Sequence, residues 1–249
     1  SESKQLDLFL RGQLNAVDSG LHFPDRDLDI PEKFGSAELG FVVSGNAPDG
    51  RRQGLSFSYG SAGTELFRPG DRPILSANAF RQIPASDGNS WIFLLTYSNS
   101  RSFLNNIPLP GFAYVRNTKD STLMAGVPFV FYMWRPAPYI STTMLSPFVA
   151  SSELAYRIWG PLQTFASVAW APRAYLNVVE GSDDRLIFQR KDLNIGLKFG
   201  SRHRGNLSIA YVYAFDRRYF IGESTTKPTS DSIKIADGAG IELKLKLTF

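Results

Sequence analysis

"IELKLKLTF" occupies residues 241–249, and large apolar side chains recur there at every second position. Side chains of a β-strand point alternately to opposite faces, so a period of two predicts a strand with one apolar and one polar face. The apolar face carries Ile241, Leu243, Leu245, Leu247 and Phe249. Glu242, Lys244, Lys246 and Thr248 occupy the polar face.

The same alternation recurs along the rest of the chain, between clusters of Gly, Pro, Asn and Asp that are typical of turns. In "NLSIAYVYAF" and "DLNIGLKFG", for example, bulky residues alternate with small or polar ones. No segment shows a convincing helical period, so the sequence predicts an all-β fold. Thirteen strands are predicted, at residues 5–14, 36–45, 53–61, 73–83, 90–98, 110–117, 121–135, 138–145, 148–159, 162–176, 192–200, 206–215 and 241–249.

Composition excludes several classes of protein. The longest apolar run, residues 127–134, is too short for a membrane-spanning helix, which needs about 20 residues, whereas a tilted strand needs about 9–11. The chain has no cysteine, so disulfides, thiolate nucleophiles and cysteine metal sites are absent. The net charge of +4 is spread along the chain, and nucleic acid is therefore not a predicted partner. "SESKQ" contains no signal sequence, so an exported protein would be shown here in its processed form.

The bulky face of these strands could meet either a protein core or lipid. Strands of about ten residues are long for a soluble sheet, in which about five or six are typical. Aromatic residues lie near the segment ends, as in the interfacial belts of membrane proteins. These residues are Trp91, Tyr97, Tyr114, Trp134, Tyr139, Trp159, Trp170 and Tyr175. The pattern favours a transmembrane barrel whose apolar face meets lipid.

The face opposite the bulky one carries five acidic and five basic residues. They are Asp7, Arg11, Glu38, Glu153, Arg157, Asp192, Lys198, Glu242, Lys244 and Lys246. Isolated charges in a narrow lumen are costly and paired charges are tolerated. We therefore predict a polar lumen that is largely filled by charge pairs; the alternative is a soluble sheet whose charges face water.

Single-chain bacterial barrels have an even number of strands, and this constrains the predicted strand number. Because thirteen is odd, one segment must be split, merged or outside the wall. We predict an antiparallel up-and-down β-barrel of about twelve strands, with ten or fourteen as alternatives, formed as a single domain by residues 1–249. Short turns and longer polar loops both occur, and the loop at 222–238 is predicted to lie outside the cell.

Residues 127–134 are apolar on both faces, which indicates burial on one side even if the other meets lipid. Pro128 lacks the N–H that a strand ladder needs, and Gly126 is close by. The sequence therefore predicts a bulge or kink within a single strand here. Packing against a neighbouring strand or loop is preferred for the buried side over a plug or an acyl-chain pocket.

From Gly111 to Phe249 the succession "GFAYVRN", "STLMAGVPFVFYMWRP", "SSELAYRIWG" and "LQTFASVAW" resembles a family of bacterial outer-membrane β-barrel proteins of unknown function. The last strand also resembles the insertion signal of outer-membrane proteins, which ends in an aromatic residue, here Phe249. The resemblance implies the fold and a location in the outer membrane of a Gram-negative bacterium. It implies no catalytic residue.

Candidate catalytic and metal-binding groups are few. His22 has acidic neighbours and Ser19 nearby, but such clusters are commonly solvated loops, and His203 lies between two arginines. Asp25, Asp27, Asp29 and Glu32 could offer oxygen ligands to a hard cation, but their spacing lacks the glycine and the terminal acid of a dedicated loop. We predict no enzyme activity, no metal and no cofactor.

The function expected from the sequence is a structural or partner-binding role in the outer membrane. A porin-like passive pore for small solutes is the alternative, and a lipid-modifying enzyme that uses His22 is a third hypothesis. The predicted partners are outer-membrane lipids, the barrel-assembly machinery during insertion, and a protein partner.

Overall fold

A computed structural model describes residues 3–16, 22–29, 32–101, 104–147, 149–176, 184–201 and 205–246. Within these residues the chain is all-β, apart from one short 3-10 helix at Ser86–Gly88. No helix in this part of the chain is long and apolar enough to cross a membrane. Seventeen strands belong to one sheet, and the two remaining strands form a small separate hairpin.

The strands alternate along the chain with connections of very different length. Their bounds are β1 (Ser3–Ala16), β2 (His22–Phe23), β3 (Leu28–Asp29), β4 (Lys33–Asn46), β5 (Arg52–Gly63), β6 (Ile74–Pro84), β7 (Ser90–Ser98), β8 (Leu109–Asn117), β9 (Ser121–Val127), β10 (Val130–Trp134), β11 (Tyr139–Ser146), β12 (Val149–Trp159), β13 (Leu162–Trp170), β14 (Arg173–Tyr175), β15 (Arg185–Ser201), β16 (Gly205–Ser224), β17 (Lys227–Pro228), β18 (Ile233–Ile235) and β19 (Gly238–Lys246).

Fourteen of these strands form an antiparallel up-and-down sheet in which each pairs with the next. The order is β1, β4 to β13, β15, β16 and β19. β1 pairs with β4, and β19 pairs with β16. Among the described residues neither β1 nor β19 pairs with a further strand, so the sheet has two edges and is not closed.

The prediction of twelve strands was too low, and the alternative of fourteen matches the sheet. The step from thirteen predicted segments to fourteen strands comes from residues 121–135, which were predicted as one kinked strand. The chain instead reverses completely at Pro128 and Phe129, and the N–H of Gly126 donates to the carbonyl of Phe129 at 3.1 Å. Ala125 on β9 then lies opposite Val130 on β10. A proline cannot donate to a ladder, and here it lies in a turn where no ladder bond is needed.

The predicted strand at 162–176 is also divided. β13 ends at Trp170, and β14 pairs with a different part of β15. The loop predicted at 222–238 contains β17 and β18, and the segment between the first two predicted strands contains β2 and β3.

The two ends of the sheet carry different connections. At the end where β1 begins and β19 ends, strands are joined by residues 47–51, 85–89, 118–120, 135–138, 160–161 and 202–204. At the opposite end the connections include the much longer segments 17–32, 64–73, 99–108, 171–184 and 225–237. We call these the short-turn end and the loop end.

One face of the sheet exposes large apolar side chains at every second position, and we call it the apolar face. On β15 it carries Leu193, Ile195, Leu197 and Phe199, with exposed fractions between 43% and 57%. Exposure is high on the edge strands, as shown by Ile241 at 79% and Leu10 at 77%. Further members are Leu6, Leu8, Leu39, Val43, Leu55, Phe57, Phe93, Leu95, Phe112, Leu154, Leu207, Ile209, Tyr211 and Leu243.

The opposite face is lined in many places by small side chains, and the sheet curls toward it. Ala113, Ala155 and Ala210 on this face are each at most 5% exposed. Larger residues are accommodated next to glycine: the ring of Phe80 lies where a side chain on Gly54 would be. Near the loop end, Phe34 on β4 contacts Tyr175 on β14, although these strands are far apart in the sheet order. We therefore call this face the inner face.

Candidate functional site

A dry cluster of apolar and aromatic residues covers the inner face at the loop end, and we call it the cap. Phe34 packs edge-on against Tyr175 with a centroid distance of 4.6 Å, and Phe188 stacks on Tyr219 at 4.5 Å. Burial raises the pKa of Tyr219 to about 12. The buried members of the cap are Phe23, Phe34, Ala62, Ile74, Tyr175, Leu176, Leu186, Phe188, Tyr219 and Ile221.

The cap forms because the face that points inward changes along β16. On the lower part of this strand the even residues, such as Ala210, are buried, and the odd residues, such as Ile209, are exposed. Beyond Phe215 the odd residues Tyr219 and Ile221 are buried in the cap. The register with β15 shifts between these two parts, which indicates a β-bulge. One extra residue moves every later side chain to the other face.

Asp216 lies at this bulge with a φ of 49° and forms an ionic cluster. Its carboxylate is 2.7 Å from Nζ of Lys191 and 2.9 Å from Nη2 of Arg218. Hydrogen bonds from Lys191 and then Arg218 lower the pKa of Asp216 to about 2. The cluster therefore stabilises the backbone conformation from which the cap part of β16 begins.

Polar contacts join segments of the loop end that are distant in sequence. Nη1 of Arg26 is 2.8 Å from the Asp184 carboxylate, and its Nε and Nη2 donate to the carbonyl of Thr229. The backbone N–H of Asp231 donates to Asp25 at 2.9 Å. The hairpin of β2 and β3 is thus attached to the segment after β16, over the cap.

The ten residues predicted to line a lumen fall into three groups. Glu153 and Lys198 form an ion pair, and Nζ of Lys198 also lies 4.3 Å from the centre of the Phe165 ring. Arg11 lies opposite Glu38 in the β1–β4 register, and Glu38 accepts a hydrogen bond from Ser58 at 3.2 Å. Glu153, Lys198 and Glu38 therefore have an oppositely charged or polar partner on the inner face, whereas the side chain of Arg11 is not described.

In the second group, Asp7 and Asp192 have partners two residues away in sequence. Asp7 accepts two hydrogen bonds of 3.0 Å from Gln5, and Asp192 pairs with Arg190 at 2.9 Å. Arg157 forms no ion pair with any described residue and faces a cavity. Glu242 lies on the edge strand β19, opposite Ala210.

For most of the remaining predicted residues, near the end of the chain, the structure describes only the backbone or nothing. Lys244, Leu245 and Lys246 belong to β19, but their side chains are not described, and Leu247 and Phe249 lie outside the described residues altogether. Ile241 and Leu243 are exposed on the apolar face. The insertion signal itself stays a prediction.

The aromatic residues that the sequence placed near strand ends are exposed mainly at the short-turn end. Trp91 packs on Tyr114 at 5.0 Å and Tyr139 on Tyr156 at 5.2 Å, and Trp159 is 77% exposed. Tyr175 does not belong to this exposed set, because it is 2% exposed in the cap. Its position near the end of a predicted strand was not sufficient to distinguish a cap residue from a surface aromatic.

A cavity of about 590 Å³ opens on the inner face at the short-turn end. Met133, Ile140 and Pro161 contribute apolar surface. The polar contributors are Arg135, Arg157 and Gln163. Ile140 also packs on Ala155 and Phe165, so the apolar surface continues into the inner face. The sequence had singled out Arg157 but neither the cavity nor Arg135.

His22 lies on the β2–β3 hairpin with both ring nitrogens near carboxylates. Nδ1 is 3.0 Å from Asp29 and Nε2 is 3.8 Å from Asp27. Within the described part of the chain the ring forms no hydrogen bond with a hydroxyl group, as a serine-hydrolase arrangement would need. Ser19 and His203 lie outside the described residues.

The acidic residues near His22 do not assemble into a metal site. Asp25 binds the backbone of Asp231, while Asp27 and Asp29 face the histidine. No group of three or more histidine or acidic side chains within the described residues could hold a metal ion.

Comparisons with protein-family models, with curated proteins and with solved structures found no match.

Proposed function

We propose that this chain is an integral outer-membrane β-barrel whose role is structural or partner-binding. The observation that carries the proposal is the apolar face, on which large side chains remain exposed along the long strands of the sheet. Soluble monomers rarely expose contiguous apolar patches larger than a few hundred Å². Acyl chains of a bilayer would cover this face without a second protein layer.

Two further observations support a location in the outer membrane. Short turns at one end and long loops at the other are typical of outer-membrane barrels, whose short turns lie in the periplasm. The aromatic pairs near the short-turn end match an interfacial belt.

Membrane insertion requires the edges β1 and β19 to pair, because an unpaired backbone N–H or C=O group costs several kcal/mol in hydrocarbon. The two strands run in opposite directions, since β1 begins and β19 ends at the short-turn end. The proposal therefore includes an antiparallel β1–β19 seam in the bilayer.

Cell fractionation followed by a gel with boiled and unboiled samples tests the location. The folded protein should sediment with outer membranes and migrate differently before and after boiling. Recovery of the folded protein in the soluble fraction would contradict the proposal.

Paired cysteines test the seam, and the cysteine-free chain provides a clean background. Cysteine at Leu6, Leu8 or Leu10 is combined with Leu243→Cys in membrane-inserted protein. At least one pair should form a disulfide, which needs Cα atoms about 4.4–6.8 Å apart. A control pair, Leu8→Cys with Leu193→Cys on β15, should not. If no β1–β19 pair cross-links, the proposed closure is wrong.

The structural role is preferred to a passive pore because the cap blocks the inner face at the loop end. The small side chains below the cap favour the pore as the second candidate, because they leave space in the interior. Planar-bilayer recordings separate the two: the intact chain should conduct little, and Phe34→Ala combined with Tyr219→Ala should increase conductance. High conductance of the intact chain would favour the pore.

A further inference from the structure

We propose that the cavity at the short-turn end binds an anionic amphiphile, with its head group on Arg135 and Arg157 and its tail on Met133 and Ile140. The inference goes beyond the proposed structural role. It also does not depend on membrane insertion, because all of these residues lie on neighbouring strands or turns of one sheet.

Backbone hydrogen bonds fix the positions of both arginines that line the cavity. The N–H of Arg135 donates to the carbonyl of Asp120 at 2.8 Å, and that of Arg157 donates to the carbonyl of Pro138 at 3.0 Å. Neither guanidinium forms a hydrogen bond or ion pair with a described side chain. On the adjoining inner face, Glu153 is already paired with Lys198.

An anion is the ligand that this charge arrangement favours. Both guanidinium groups line the same cavity, and an anionic head group would supply the counter-charge that the described residues do not. Guanidinium groups also match carboxylate and phosphate oxygens with paired, charge-assisted hydrogen bonds. Gln163 lines the same cavity and offers an additional amide donor.

The apolar half of the cavity indicates that the anion carries a tail. Met133 and Ile140 contribute apolar surface beside the arginines, and Ile140 leads to Phe165, which is 8% exposed. A small inorganic anion would leave this surface in contact with water. The volume of about 590 Å³ lies in the range of small-molecule sites, about 300–1,000 Å³. The shared chemistry is therefore a carboxylate or phosphate on an alkyl chain.

Calorimetric titration of the full chain, held in a non-ionic amphipol, tests the site. The probes are dodecanoate, dodecyl phosphate, dodecyltrimethylammonium and acetate. We expect one of the two anionic amphiphiles to bind, and the stronger of them identifies the head group. Acetate should bind at least tenfold more weakly, because it has no tail. Binding of dodecyltrimethylammonium with equal affinity would overturn the proposal, since it would show unspecific partition of alkyl chains.

Variants distinguish the site from the rest of the surface. Arg135→Gln and Arg157→Gln should each weaken binding of the preferred probe about tenfold, and together about a hundredfold, as expected for lost hydrogen bonds to a charged group. Arg81→Gln with Arg116→Gln is the matched control, because these arginines are exposed near the same end but on the apolar face.

The control variant should bind like the unchanged chain. Unaltered binding by the Arg135→Gln, Arg157→Gln variant, shown to be folded by its far-ultraviolet circular dichroism, would contradict the proposed site. Acetate that binds as tightly as dodecanoate would reduce the site to a bare anion site and also contradict it.

Discussion

β15 and β16 each contribute one part to the cap and another to the wall, by which we mean the fourteen-stranded sheet outside the cap. Large apolar residues are exposed in the wall part and buried in the cap part. In the wall part of β15 and β16 the large side chains, such as Phe199 and Ile209, are exposed on the apolar face. In the cap part, Phe188 and Tyr219 are at most 2% exposed and stack on each other. The boundary is the bulge near Asp216.

This difference shows that the apolar residues of the chain have two distinct surroundings. The cap excludes water by protein packing alone and needs no lipid. The wall leaves its apolar residues uncovered within the described chain. Matched substitutions in the two regions can therefore separate packing inside the protein from contact with a bilayer.

The largest expected effect is in the cap. Phe188→Ala should destabilise the cap by about 3–5 kcal/mol, because a buried phenylalanine leaves a cavity. Phe199→Ala, the matched change on the same strand, should cost about 1–2 kcal/mol in lipid and little in water. Urea unfolding followed by gel migration and by limited proteolysis measures both. Equal costs for the two variants would remove the distinction between cap and wall.

The second prediction concerns the wall alone. Ile209→Arg places a charge on the apolar face, opposite Leu197 and Leu243. In a bilayer this should cost about 2–4 kcal/mol near the midplane, falling toward the interfaces. If the face were in water, the cost would stay within about 0.5 kcal/mol. Unfolding from lipid vesicles is the measurement, with Ile209→Leu as the control.

A third prediction compares two ion pairs. A double-mutant cycle of Glu153→Gln and Lys198→Gln should give a coupling of about 1 kcal/mol, because both side chains are about 30% exposed on the inner face. The exposed pair Glu223 and Lys227 should give about 0–0.5 kcal/mol in the same cycle. Equal coupling energies for the two pairs would mean that water screens charges on the inner face as fully as charges at the loop end.

The smallest expected effect is the response of the bulge to acid. The pKa of Asp216, which lies beyond the segment of β16 that pairs with β19, is lowered to about 2. Its contribution to stability is present above about pH 4, the ordinary range of an aspartate, and is lost as the pH falls through about 2.

Near-ultraviolet circular dichroism of the cap aromatics, recorded from pH 5 to pH 1.5, measures this loss. Asp216→Asn tolerates the positive φ but has no charge, so it should reduce the acid dependence. An unchanged acid transition in this variant would show that other carboxylates control the cap.

Much of the wall was predictable, because alternation in residues such as Leu193 to Phe199 is a local property of the chain. The pairing of Glu153 with Lys198 was anticipated only as a general balance of charges. Arg135 and its cavity were missed, because the cavity needs strands β10 to β13 to lie side by side. The cap had a weak signal, since "LIF" at 186–188 and "YFI" at 219–221 interrupt the alternation.

The sequence by itself determined most of the wall strands and their division into a bulky and a small or polar face, because side chains alternate with a period of two in any extended chain. Tertiary structure alone decided the reversal at Pro128, the change of inner face at the bulge and the assembly of the cap. Each of these depends on how many residues oppose one another on neighbouring strands. That count is a property of two strands together, and no single segment contains it.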